Sequence, residues 1–254
     1  MALRIDLNAD VGESFGAWRM GDDAELLRHV SSANVACGFH AGDPAVMDRT
    51  VALAVAAGVA LGAHPGYADL RGFGRREVAA DPAELESDVL YQCGALAAFA
   101  RSHGAALAHV KPHGALYNQA ARDEALARAV ARAAARLGCP TLVGLAGSSA
   151  LRSAAGASGL RFAAEAFVDR AYDASGRLVP RSQPGALVDD PALAAERALR
   201  LAREGVVIAS DGRPVELRAD TLCLHGDGPR ALAIARAVRE ALERGGVRVE
   251  ALAR

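Results

Sequence analysis

Short, continuously apolar runs alternate along this chain with longer helical patterns, and that alternation restricts the fold more than any other feature. VALGA at residues 59–63 and TLVGL at 141–145 offer no polar face to water, so each suits a strand buried on both sides. Strands of that kind separated by helices assemble as a parallel sheet with crossover connections. The sequence predicts strands over 3–8, 33–37, 59–63, 106–111, 141–145, 161–166 and 221–225.

The helices between them are well punctuated. Asp43-Pro44, Asp81-Pro82 and Asp190-Pro191 each place a capping acceptor before a first-turn proline, and Glu84 completes a capping box with Asp81. Gly58, Gly104, Gly138 and Gly205 follow the helical runs, where a left-handed residue is expected. Leu85, Val89, Cys93, Leu96 and Ala100 form an apolar stripe that would pack a helix onto the sheet. Residues 169–190, with Pro180, Pro184 and Gly185, read as a long loop of the functional kind, and 206–217 as a hairpin turning near Asp211-Gly212. At 254 residues, one α/β barrel spanning 1–254 as a single domain is expected. An irregular (β/α) barrel is the first architecture; a doubly wound open sheet is the alternative.

The first strand carries an unusual pattern. In IDLNADVGES (5–14), Ile5, Leu7 and Ala9 share one face and Asp6, Asn8 and Asp10 the other, with Glu13 just beyond. The polar row would extend roughly 13 Å at ~3.3 Å per residue. Other strands end in similar chemistry. CGFHAGD supplies His40 and Asp43; AHPG supplies His64; HVKPHGALYN supplies His109, Lys111, His113 and Asn118. Glu165 precedes Asp169 and Arg170, and LHGD supplies His225 and Asp227. Five of the seven histidines lie in these segments; His29 and His103 fall in helical ones. In a barrel, the C-terminal rim is where active sites assemble, so the polar face of the first strand points inward. Buried carboxylates there need a positive partner, which Lys111, Arg170 or a metal would supply.

Plainer roles account for some of these residues. Asp43 reads first as an N-cap, and Asp81 and Asp190 as caps only. His109 reads as a hydrogen-bonded structural residue, Glu13 could favour a turn, and Arg181 could be solvated. Those roles do not explain why six strand ends each offer His, Asp, Glu or Lys, and a shared site does.

Asp10, His40 and His64 together offer oxygen and imidazole donors to a divalent metal. A carboxylate and a lysine could instead perform acid–base work on an amide. The chain has no HExxH, GxxxxGK[ST] or strand-following GxGxxG, which leaves P-loop readings without support. A formal net charge of -1 gives no electrostatic case for nucleic acid or anionic membrane. Four cysteines without a CxxC pair predict reduced thiols and a cytoplasmic setting. The longest uncharged apolar stretch, Thr50 to Ala63, is 14 residues, too short to span a bilayer.

Six blocks in order, IDLNADVGESFGAW, SSANVACGFHAGDP, GVALGAHPGYADLRGFGRR, HVKPHGALYN, AEAFVDRAY and DTLCLHGD, resemble the LamB/YcsF family, the A subunits of bacterial ATP-dependent 5-oxoprolinases. The resemblance implies an irregular seven-stranded (β/α) TIM-like barrel, related to sugar deacetylases and some glycoside hydrolases. It implies B and C subunits as partners, and opening of the lactam 5-oxo-L-proline (pyroglutamate) to L-glutamate, coupled to hydrolysis of ATP, with Mg2+ accompanying the ATP. In that reaction, placement at strand ends would have Lys111 and Arg170 neutralise phosphate or substrate carboxylate. Asp10 or Glu165 would activate water, and His64 or His113 would protonate the departing nitrogen. Asp6, Asn8, Glu13, His40, Asn118, Arg181, His225 and Asp227 would contact substrate. The competing expectations are a stand-alone metal-dependent deacetylase or amidohydrolase, and a non-catalytic subunit that holds the lactam.

Overall fold

The computed structural model describes residues 3–228 and 230–252; positions 1, 2, 229, 253 and 254 of the expected 1–254 domain lie outside the described residues. In chain order the strands are β1 (Leu3–Val11), β2 (Ser32–Ala36), β3 (Ala60–His64), β4 (Leu107–Val110), β5 (Thr141–Leu145), β6 (Arg161–Phe167), β7 (Val206–Ile208), β8 (Pro214–Glu216), β9 (Thr221–His225) and β10 (Val247–Val249). The helices are α1 (Asp23–Leu26), α2 (Pro44–Ala56), α3 (Pro82–Ser102), α4 (Gly114–Ala120), α5 (Glu124–Arg136), α6 (Ser149–Ala157), α7 (Pro191–Glu204) and α8 (Ala231–Arg244).

Strands β1 to β6 pair in sequence, each parallel to the next; β6 then pairs with β9, and β9 returns to β1. The last pairing runs from Asp6↔Thr221 to Asp10↔His225 and closes a seven-stranded barrel. That closure decides between the two expected architectures against the open sheet.

The alternation in β1 now has its explanation. Leu7, Ala9 and Val11 are at most 1% exposed and join the apolar layer beneath the helices. Asp6, Asn8 and Asp10 are also buried, and they bond across the barrel interior to residues of other strands. The α3 stripe Leu85, Val89, Cys93, Leu96 and Ala100 is buried as its spacing predicts. Asp43, Asp81 and Asp190 all cap as expected, accepting from Val46, Ala83 and Ala192 at 2.8, 2.8 and 2.9 Å. Gly205 ends α7 at φ 65°, where its N–H donates to the Leu201 carbonyl and a side chain would be strained.

Some boundaries differ from the sequence expectation. β1 continues to Val11, because its pairing with β2 holds as far as Val11↔Val35. β10, which the sequence did not announce, lies beside β1 from Leu3↔Val247 to Ile5↔Val249, ahead of the stretch that β9 covers. Three residues carry too little periodicity to be read as a strand. β7 and β8 form the predicted hairpin as an antiparallel pair. The 169–190 segment is a loop held by isolated bridges Arg170↔Leu187 and Tyr172↔Leu178. Among the described residues, no helix is long and apolar enough to cross a membrane.

Candidate active site

The barrel interior is filled by a hydrogen-bonded network centred on Lys111, just past the end of β4. Its ammonium lies 2.9 Å from Asp10 Oδ1, 3.0 Å from Glu165 Oε1, 3.0 Å from Cys223 Sγ and 3.3 Å from Asn8 Oδ1. Burial alone would strip its proton, but Asp10, Cys223 and Glu165 raise Lys111 well above the usual lysine range, so it stays charged. Burial likewise opposes charge on Asp10, yet His64 and Lys111 hold its carboxyl well below the usual range. A lysine and two carboxylates in a dry interior are tolerable only because each is paired and hydrogen-bonded.

Neutral groups complete the network. The Asn34 amide donates to Asn8 Oδ1 at 2.7 Å and Asp10 Oδ1 at 2.8 Å. Asn34 Oδ1 lies 2.7 Å from His109 Nε2, which must donate because a carbonyl oxygen only accepts. Burial and then the Lys111 charge push His109 down to about 3, so its ring is neutral. It is the structural histidine that the sequence suggested. Gly62 on β3 makes room for it: a Cβ there would sit 1.9 Å from His109 Nε2. Asn8 donates to Glu165, Thr221 and the Leu222 carbonyl, and the Tyr117 hydroxyl donates to Glu165 Oε2 at 2.8 Å.

Above this network, toward the C-terminal mouth, four side chains converge: Glu13, His40, His64 and His113, one donor atom from each lying within 4.8 Å of the others. His64 Nε2 is 3.0 Å from His113 Nδ1 and 3.3 Å from Asp10 Oδ2. Glu13 Oε1 is 3.7 Å from His40 Nε2 and 3.9 Å from His113 Nδ1. The His40 and His113 rings stack with centroids 3.7 Å apart, and His64 stands edge-on to both. Burial lowers both His40 and His113 well below the ordinary imidazole value, with neighbouring imidazoles adding to it. Burial, followed by the Asp10 charge, raises Glu13 well above the carboxylate range. Gly74, at φ 61°, lets the backbone pass over the stack; a Cβ there would lie 2.8 Å from His40 and 2.9 Å from His113.

The predicted site residues therefore separate into groups. Asp10, His64, Lys111, His113, Glu165, Asn8, Glu13 and His40 are brought together. Of the expected metal set of Asp10, His40 and His64, Asp10 has Oδ1 on Lys111 and Asn34 and Oδ2 3.3 Å from His64 Nε2, while Glu13 and His113 join His40 and His64 in the imidazole group. Asp6 lies deeper along β1, held by Ser31, Ser32 and Thr221, and supports the barrel rather than lining the mouth. Arg170 is not free to neutralise an anion, since its guanidinium donates to the Val179 and Ala186 carbonyls and fastens the 169–190 loop. Asn118 is exposed and donates to the Gly114 carbonyl within its own helix. His225 is held 2.8 Å from Asp169 and stacks on Phe167. Asp227 pairs with Arg75 at 2.6 Å, joining the loops after β3 and β9 at the rim. Arg181 is lowered first by burial and then by the Arg75 charge, which places it near that pair.

Asn34, Tyr117, Thr221, Cys223, Arg75 and the Phe73 carbonyl were missed by sequence reasoning. The Ser32–Asn34 alternation on β2 repeats the polar face of β1 and was the readable signal for Asn34. Tyr117 sits one turn into α4, and Arg75 in a loop, where no periodicity marks them.

The sequence profile of the LamB/YcsF family matches residues 5–254. A Syntrophobacter fumaroxidans protein, named as the A subunit of 5-oxoprolinase, is 55% identical over 251 residues, covering 98% of this chain and 99% of its own length. A protein of the same name from Thermus thermophilus is 56% identical over 251 residues, 98% of this chain and 100% of its own. The crystal structure of the lactam utilization protein from Thermus thermophilus superposes with a TM-score of 0.93 at 54% identity, covering 98% of this chain and 100% of that one.

Proposed function

The chain belongs to the LamB/YcsF family, and on that premise we propose that it is the A subunit of an ATP-dependent 5-oxoprolinase. With B and C subunits in the cytoplasm it opens 5-oxo-L-proline to L-glutamate while ATP is hydrolysed to ADP and phosphate. End-to-end identity of 55% to a protein named for that activity supports the reading. The observation that carries it in the structure is the buried Asp10–His64 pair, 3.3 Å apart, backed by the Lys111 charge.

A five-membered lactam is an unstrained amide with a poor leaving group. Phosphorylation of its carbonyl oxygen by ATP makes the carbon a better electrophile, and water then attacks. The C–N bond breaks as the ring nitrogen takes a proton, leaving an acyl phosphate, and a second water hydrolyses that acyl phosphate to the carboxylate and free phosphate. Asp10 suits the base: Oδ1 is fixed by Lys111 and Asn34, so Oδ2 faces His64 with a defined direction. His64, its Nδ1 fixed 2.8 Å from the Lys111 carbonyl oxygen, turns Nε2 toward Asp10 and suits orienting that carboxylate as it takes a proton from water and passes it to the departing nitrogen. Lys111 has no free hydrogen to offer a phosphate; it keeps Asp10 ionised and is a positioning residue. Arg75 and Arg181 at the rim are better placed for the substrate carboxylate or a phosphate. The Mg2+ that accompanies ATP prefers oxygen donors and belongs with the nucleotide, not with the imidazole cluster.

The test is reconstitution with candidate B and C subunits, measuring glutamate and ADP formed from 5-oxoproline as each component is omitted. Turnover is expected to require this chain and to fall by orders of magnitude in folded Asp10→Asn and His64→Ala variants. Undiminished turnover without the chain, or in those variants, overturns the reading. The imidazole cluster favours a second reading, a stand-alone metal-dependent amidohydrolase; amide hydrolysis by the chain alone without ATP would establish it.

A further inference from the structure

The hydrogen-bond directions at the mouth of the barrel leave a concentration of lone pairs with nothing to receive them. His64 Nδ1 lies 2.8 Å from the Lys111 carbonyl oxygen, and His113 Nε2 lies 2.8 Å from the Phe73 carbonyl oxygen. Carbonyl oxygens only accept, so those two nitrogens carry the protons. In neutral rings the opposite nitrogens, His64 Nε2 and His113 Nδ1, are then bare, yet they face each other at 3.0 Å. Glu13 Oε1 adds an oxygen at 3.9 Å from the second of them. His40 is fully buried, and neither of its ring nitrogens has a hydrogen-bond partner. Lone pairs this close repel unless a cation sits between them.

A proton on His64 would answer Asp10 and His113 but leave Glu13 and both nitrogens of His40 unserved. A dication takes the lone pairs of His64, His113 and Glu13 together and leaves one nitrogen of His40 to join them. The spacing suits it: ligands bound at about 2.0–2.2 Å around a tetrahedral ion lie roughly 3.3–3.5 Å apart, and a small contraction of the cluster reaches that. The second layer also fits, because imidazoles that bind metals donate their remote N–H to a carbonyl, as His64 and His113 both do here. Imidazole-rich sites select zinc and its neighbours over magnesium or calcium.

We propose that Glu13, His64 and His113, with His40 as a fourth donor, bind one divalent transition-metal ion of the zinc class. The parallel stack of His40 on His113, 3° from coplanar orientation, prevents one ion from lying in both ring planes. His113 is anchored by Phe73 and is therefore the primary ligand; His40 joins as the stack opens. When bound, such an ion supplies Lewis-acid chemistry at the mouth of the barrel. The site does not depend on the lactam assignment and is measured without turnover.

The experiment uses the full chain, freed of metal by dialysis against a chelator and titrated with Zn2+ by calorimetry and with Co2+ by visible absorption. One equivalent is expected, with ligand-field bands for Co2+ and a higher thermal midpoint with Zn2+. His64→Ala and His113→Ala should each weaken binding at least about tenfold, and His29→Ala, in a surface turn, should not change it. Glu13→Gln, which keeps the side-chain shape, should weaken binding while circular dichroism shows the chain folded. Failure of the folded wild-type chain to take up Zn2+ or Co2+ would overturn the site. So would undiminished affinity in a folded His64→Ala/His113→Ala double variant.

Discussion

Lys111 Nζ lies 2.9 Å from Asp10 Oδ1 with only 2% of the lysine side chain exposed, inside a barrel whose interior is usually filled by apolar side chains. The pair joins β1 to the end of β4 across the barrel and holds a second carboxylate, Glu165 of β6, on the same ammonium. The same contacts that prepare the site are thus part of what holds three strands together.

Removing the ammonium should therefore cost stability before it costs chemistry. Lys111→Met leaves Asp10 and Glu165 buried without a counter-charge, a change worth about 3–5 kcal/mol. A denaturant titration should show the midpoint falling accordingly, and Asp10→Asn added to Lys111→Met should recover part of the loss. An unmoved midpoint would mean the ion pair contributes nothing to the fold.

Gly62→Ala should be destabilising out of proportion to its size. The new methyl would meet the His109 ring at 1.9 Å, and overpacking of this kind costs about 1–3 kcal/mol. Thermal melts should show a drop of several degrees. Replacing the ring as well, in Gly62→Ala/His109→Ser, should cost less than the two single changes added together.

Arg75→Ala tests the rim. The Arg75–Asp227 pair is partly solvated, so its loss should change stability by no more than about 1 kcal/mol. If Arg75 helps to hold an anionic substrate, KM for 5-oxoproline should rise in the reconstituted enzyme while the thermal midpoint stays put. An unchanged KM removes Arg75 from substrate binding.

The acid limb of stability should carry the signature of Asp169. Burial opposes its charge, but His225 and the His225 backbone N–H hold it below its ordinary 3.8. A carboxylate depressed on folding stabilises the protein above its unfolded pKa, and that contribution disappears as pH falls through the folded value. Stability should thus drop as pH goes below about 4. Asp169→Asn should be less stable near neutrality and fall less steeply in acid. Parallel curves for the two proteins would show that the contact contributes nothing.

The barrel was legible because buried strands and capped helices each leave a local mark: VALGA and TLVGL became β3 and β5, and the Asp-Pro pairs became caps. Asp10, Lys111 and Glu165 were legible as partners because strand ends must meet at one rim. Side-chain direction was not. Arg170 lies in the right segment, but its guanidinium turns back onto its own loop, a choice made by the Val179 and Ala186 carbonyls. Asn118 likewise turns its amide onto its own helix, where it donates to the Gly114 carbonyl. Glu13 was legible as a site residue beyond the first strand, but only the folded chain sets it beside His40, 27 positions later, and His113, 100 positions later.

The lattice of amide, hydroxyl and charged groups along the barrel axis has an evolutionary corollary. Asn8, Asp10, Asn34, Lys111 and Glu165 each satisfy at least two of the others or their immediate neighbours, so a drifting lineage cannot exchange one of them alone. Variation there must come as simultaneous replacements or not at all, whereas the helical exterior is free to diverge one position at a time.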